Sequence, residues 1–156
     1  MSEDLALDLA IAPDGAIGRI GASINKRGKR AFGVLKTANE YVGVVRANEF
    51  ELWERQQRAV HARGRVVARH RGSRVEVNLV IPRRTRFLLG LFFALYLLVS
   101  LGIATQPPDP SVSAGEVLVS IAGAGVLAAL FTAGARSQRA DLRTFFERVF
   151  DGVARL

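Results

Sequence analysis

Cysteine is absent from this 156-residue chain, which excludes a disulfide framework and any thiolate metal site. Histidine occurs only at His61 and His70, too sparse for a histidine-rich metal cluster, and no acidic residue is spaced along the chain to orient either one as a general base. The few aromatic residues do not interleave with the arginines. The stacking platforms that a single-stranded nucleic acid needs are therefore missing. Three of only five prolines fall in one short stretch, Pro107, Pro108 and Pro110. Charge is missing from two whole segments, 87–105 and 117–135, each 19 residues long.

What is present explains those gaps. The formal net charge is +8, and it is unevenly spread. Residues 1–86 carry 17 Lys and Arg against 9 Asp and Glu, 87–135 hold only Asp109 and Glu116, and 136–156 carry 5 Arg against 3 acids. The chain is basic, then apolar, then basic. As helices at about 1.5 Å per residue, the two uncharged segments would each reach roughly 28 Å, close to the ~30 Å hydrocarbon thickness of a bilayer. The prolines of "QPPDPSVSAGE" stop helices between them. The pattern predicts a transmembrane hairpin over 83–136, with spans at about 87–105 and 117–135 and a loop over 106–116. "PRRTR" precedes the first span and "RSQRADLR" follows the second, whereas the loop has no basic residue. Basic flanks stay on the cytoplasmic side, so both termini are expected there and the loop outside. "MSEDLALD" is acidic where a cleaved secretory signal would be basic. Arginine outnumbers lysine 19 to 3, as in a GC-rich bacterial genome, so the expected location is the bacterial inner membrane.

Small residues recur every four positions in the spans: Gly90 and Ala94 in the first, Ser120, Ala124 and Ala128 in the second. This spacing lets helix backbones approach closely, within the hairpin or in a homodimer. Neither span holds an Asp, Glu, Lys, Arg or His, which argues against a channel or transporter.

Residues 1–82 read as a small cytoplasmic α+β domain. In "LALDLAIA", Leu5, Leu7, Leu9 and Ile11 alternate with smaller or polar residues, the period of a half-buried strand. "PDGAIGRIGASI" sets Ile17, Ile20 and Ile24 on one helical stripe, with Asp14 as the expected cap. Gly15, Gly18 and Gly21 do not have the spacing of a dinucleotide or phosphate loop. "YVGVVRANEFELWER" predicts a hairpin turning at Ala47 and Asn48, and "RGRVVARHRGSRVEVNLVIP" a second one turning at Gly72 and Ser73. The result is an antiparallel sheet with one buried face. At the other end, "DLRTFFERVFDGVARL" is strongly amphipathic. Leu142, Phe145, Phe146, Val149, Phe150 and Val153 share one stripe, predicting a cytoplasmic helix over 137–156 that docks either on the sheet or in the headgroup plane.

The order of parts resembles a family of small uncharacterised bacterial membrane proteins. In that family a G-x-V-x-x-N-x-F-x-L hairpin and a Gly-opened strand lead into two spans and a short C-terminal helix. Gly43, Val45, Asn48, Phe50 and Leu52 match the first element, and Gly64 with Val66 the second, over residues 41–156. The stretch "QQRAVHAR" lacks the proline usual in the family's linker. The resemblance implies the fold but no activity and no catalytic residue.

No catalytic motif, metal set or cofactor site is legible. Glu49 and Glu51 share a strand face but are expected to make surface ion pairs. The features able to carry function are basic. Arg63, Arg65, Arg69, Arg71 and Arg74 cluster on the second hairpin, and Lys26, Arg27, Lys29 and Arg30 lie in an earlier loop. Such clusters near a membrane attract anionic lipid at about 1 kcal/mol per charge. The sequence therefore predicts a non-enzymatic membrane-anchored module that contacts anionic headgroups or a protein partner, with a membrane-bound enzyme as the competing class.

Overall fold

The computed structural model describes residues 3–26, 39–55, 59–105 and 112–156. They form two compact units, one of Met1–Ile81 with Ser137–Leu156 and the other of Pro82–Arg136.

The first unit is α+β. Its strands are β1 (Glu3–Leu9), β2 (Asn25–Lys26), β3 (Tyr41–Arg46), β4 (Glu49–Glu54), β5 (His61–Arg69) and β6 (Gly72–Val80). They lie in the order β1-β6-β5-β4-β3-β2. All neighbours are antiparallel except the two-residue β2, which runs parallel to β3. The alternation seen in the sequence sets the faces. Leu7, Leu9, Phe50, Leu52, Ala62, Val66, Val75, Val77 and Leu79 are buried on one side, and their sequence neighbours take the other.

Helix α1 (Pro13–Ser23) covers part of the buried face with Ala16 and Ile20. Asp14 is not its cap. Ala12 occupies that position without a side-chain hydrogen bond, Pro13 begins the helix, and Asp14 sits in the first turn, where its charge suits the helix dipole.

The β3–β4 turn falls at Ala47 and Asn48 as expected, with Ala47 at φ 44, a left-handed conformation that costs a non-glycine residue roughly 1–2 kcal/mol. The second turn differs from expectation. Arg69 pairs with Gly72 and Ala68 with Ser73, so the turn is at His70 and Arg71, and Gly72 and Ser73 open β6. Gly72 answers a packing need rather than a turn geometry: a Cβ there would run into the Leu9 carbonyl of the adjoining strand.

The C-terminal segment completes this core. Leu142, Phe145, Phe146 and Phe150 are buried. The Phe145 ring lies 4.3 Å from Tyr41 and Phe146 lies 5.6 Å from Phe50, centroid to centroid. The buried Val60 amide donates to Gln138 Oε1 at 3.0 Å, and the Tyr41 hydroxyl donates to the Asp141 carbonyl at 3.3 Å. The helix stops at Val149 rather than running to 156. Gly152 takes a left-handed conformation (φ 73), and the chain then bridges to β1 through Ala10 N–H to Ala154 O (2.9 Å) and Leu156 N–H to Asp8 O (3.1 Å). Of the two sites considered for this segment, it takes the sheet.

In the second unit, α2 (Arg83–Ala104) has no buried residue. Helix α3 is a single helix over Ala114–Val149, where the sequence suggested a span and a separate helix. No proline breaks it after Ala114. Ser113 and Glu116 close its start reciprocally: the Glu116 amide donates to Ser113 Oγ (3.2 Å), and the Ser113 amide to Glu116 Oε2 (2.8 Å). Both helices are long and apolar enough to cross a bilayer. Phe87, Leu98, Ile103, Leu118, Val119 and Leu130 are each at least 65% exposed, an apolar surface far beyond what water-soluble monomers display.

Candidate functional site

Strand register decides what the basic residues become. Across the face of the sheet opposite the core, one rung reads Arg46, Glu49, Arg65, Glu76 and Ala6, and the next Val44, Glu51, Arg63, Asn78 and Asp4. Opposite charges thus sit directly across from one another. Arg63 pairs with Glu51 at 3.0 Å, and Arg65 Nε donates to Glu76 at 2.8 Å. Arg74 stands between Asp8 (3.8 Å) and Glu76 (3.6 Å), ion-pair distances too long for good hydrogen bonds. The Arg65 hydrogen bond, with help from Arg74 and more weakly Arg69, outweighs desolvation and holds the Glu76 carboxyl below its ordinary range.

Arg69 and Arg71 differ. Arg69 ends β5 and Arg71 lies with His70 in the exposed turn that follows, and neither makes an ion pair among the described residues. They line a shallow open depression of about 400 Å³ together with Asp8, His70, Ser73 and Leu156. Ser73 is wholly buried, and its hydroxyl has no hydrogen-bond partner. Lys26 ends β2; Arg27, Lys29 and Arg30 lie outside the described residues.

The sheet also supplies what the sequence reading missed. His61 has an acidic partner after all, for Glu51 Oε1 lies 2.9 Å from its Nδ1. Glu51 is directly opposite Arg63, and His61 directly opposite Trp53, so the contact is a cross-strand diagonal that linear spacing conceals. Trp53 stacks on the His61 ring at 4.9 Å. Desolvation pushes the Glu51 pKa up, but the hydrogen bonds from His61 and Arg63 outweigh it and leave it lowered. At the edge of the buried face, burial first and then the charges of Asp141, Glu54 and Glu40 push the Tyr41 phenol up to about 12. Burial, with Asp141 and Glu40, also raises the Glu54 carboxyl. Among the described residues no group of three His, Asp or Glu side chains is placed to hold a metal ion.

Of the small residues in the spans, Ser120 and Ala124 are half-buried, while Gly90, Ala94 and Ala128 are exposed. The close approach is at Gly123, where a Cβ would collide with the Tyr96 hydroxyl. Nothing lies within 4 Å of the Cβ position of Gly90.

Comparison with models of protein families, with curated proteins and with solved structures finds no match to this chain.

Proposed function

We propose that this chain is a non-enzymatic, membrane-anchored module of the bacterial inner membrane, of the small two-span kind it resembles, whose cytoplasmic domain binds an anionic group or a protein partner through its basic residues. One observation carries the reading: two long apolar stretches, one in α2 and one in α3, neither with a buried residue, are inserted between segments that fold together as one unit. Phe146 and Phe150 share a core with Phe50 and Leu52, which supports a topology with both flanks of the hairpin on one side of the bilayer. The arginines at 83, 84 and 86 and at 136, 139 and 143 favour the cytoplasm as that side.

Two measurements test this. Alkaline extraction of membranes should leave the chain in the pellet, and release into the supernatant would refute the anchor. The purified full chain in neutral detergent should retain added phosphatidylglycerol over phosphatidylcholine, less so as salt rises. Equal retention of both lipids would move the reading to a protein partner. The His61–Glu51 pair favours a second reading, a membrane-bound enzyme. Under it, His61→Ala would abolish a cellular phenotype while leaving abundance and folding intact.

A further inference from the structure

We propose that the β5–β6 turn is a phosphate-binding site, with Arg69 and Arg71 as the two cationic contacts and His70 as a further donor. This rests on the reading above and narrows it. Nine basic positions stand out in the sequence, but the sheet neutralises three of the five on this hairpin: Arg63 by Glu51, Arg65 by Glu76, and Arg74 by Asp8 and Glu76. A phosphate approaching those three must compete with a carboxylate already in place. Neither Arg69 nor Arg71 makes an ion pair among the described residues, and the nearest charge effect is the weak one of Arg69 on Glu76. Guanidinium groups grip phosphate oxygens through paired N–H donors, and Arg69 at the end of β5 stands two residues from Arg71 in the turn.

The surroundings are built rather than accidental. Gly72 brings the start of β6 against the Leu9 carbonyl, and the bridge from Leu156 to Asp8 fixes the neighbouring chain end. The turn therefore overhangs a depression of about 400 Å³. Ser73, beside it, contributes a buried hydroxyl with no partner. Asp8 and Leu156 also line the depression, and the Asp8 carboxylate faces Arg74 at 3.8 Å. The chemistry selected is a phosphate group, either free in solution or carried on a lipid headgroup.

The test uses the full chain in phosphatidylcholine nanodiscs, with backbone amides of residues 69–73 followed by NMR. One arm adds inorganic phosphate, and the other replaces part of the lipid with phosphatidic acid. Saturable shifts at the turn are expected in at least one arm. Response to free phosphate marks a soluble ligand, and response to phosphatidic acid alone marks a headgroup. Arg69→Gln with Arg71→Gln should weaken binding by about tenfold or more, whereas Arg63→Gln with Arg65→Gln should change it by less than about twofold. Unchanged Trp53 emission verifies the fold of each variant. Equal losses in the two double variants would overturn the site, since charge count alone would then explain binding. So would anion-dependent shifts confined to residues 83–86, which would leave the membrane-module reading standing. Absence of any anion response would refute both the site and the headgroup form of that reading.

Discussion

Replacing Phe146 by alanine tests whether the C-terminal segment is part of the core. Phe146 has no exposed surface and packs on Phe50 at 5.6 Å and Phe145 at 5.4 Å. A buried Phe ring removes about 200 Å² from water, which at ~25 cal/mol per Å² gives an upper figure of about 5 kcal/mol. Core Phe→Ala changes cost about 3–5 kcal/mol. Domains of this size are stable by only about 5–15 kcal/mol, so the variant should lose roughly a fifth or more of its stability. Trp53, the single tryptophan and 6% exposed, reports unfolding of the sheet unit. Urea titration of the full chain in neutral micelles should show a lower midpoint with little change in slope. Leu98→Ala, at a position 68% exposed in α2, should move the Trp53 transition by less than about 0.5 kcal/mol. A Phe146→Ala midpoint equal to wild type, or an equal shift from Leu98→Ala, would refute the assignment of residues 137–150 to the core.

Two further outcomes follow from packing and titration. Gly64→Ala should destabilise by about 1–3 kcal/mol, because the new methyl would meet the Glu76 carbonyl and the Phe50 ring, whereas Gly18→Ala, with open space around it, should stabilise by about 0.5–1 kcal/mol. Urea midpoints that fail to move in opposite directions would refute this. Tyr41, with its folded pKa raised from 10.0 to about 12, contributes stability that is complete below pH 10.0 and is lost as pH climbs through about 12. Phenolate absorbance of Tyr41→Phe against wild type should lack this late component, and a Tyr41 ionisation at its ordinary value would contradict the burial.

Much of the sheet unit was legible because its information is local. Val75, Val77 and Leu79 alternate with Arg74, Glu76 and Asn78 whatever their partners are, and the Phe145–Phe146–Phe150 stripe declares a buried helix face. What escaped was long-range. Nothing in "LALDLAIA" says that β1 lies beside β6, and without that neighbour Gly72 reads as a turn residue instead of a point of close approach. The misplaced turn also put His70 and Arg71 inside a strand rather than at its apex. The same loss of register hid the Glu51 contact to His61 and made Arg63, Arg65 and Arg74 look as free as Arg69 and Arg71. In the spans, a four-residue repeat drew attention to Gly90 and Ala94, while the tight position, Gly123, depends on where the Tyr96 hydroxyl reaches.

The order of the chain imposes an order of assembly. All six strands are complete by Val80, yet the aromatic side chains that cover Phe50 and Leu52 are not made until Phe145, Phe146 and Phe150. At roughly 5–20 residues per second, that interval is about 4 to 14 s of synthesis, during which both apolar helices must also leave the ribosome. The sheet waits through it with only α1 over its oily face. A ribosome that stalls or terminates before Phe145 therefore releases not a slightly shortened protein but an open one, the kind of product that proteases and chaperones are built to find.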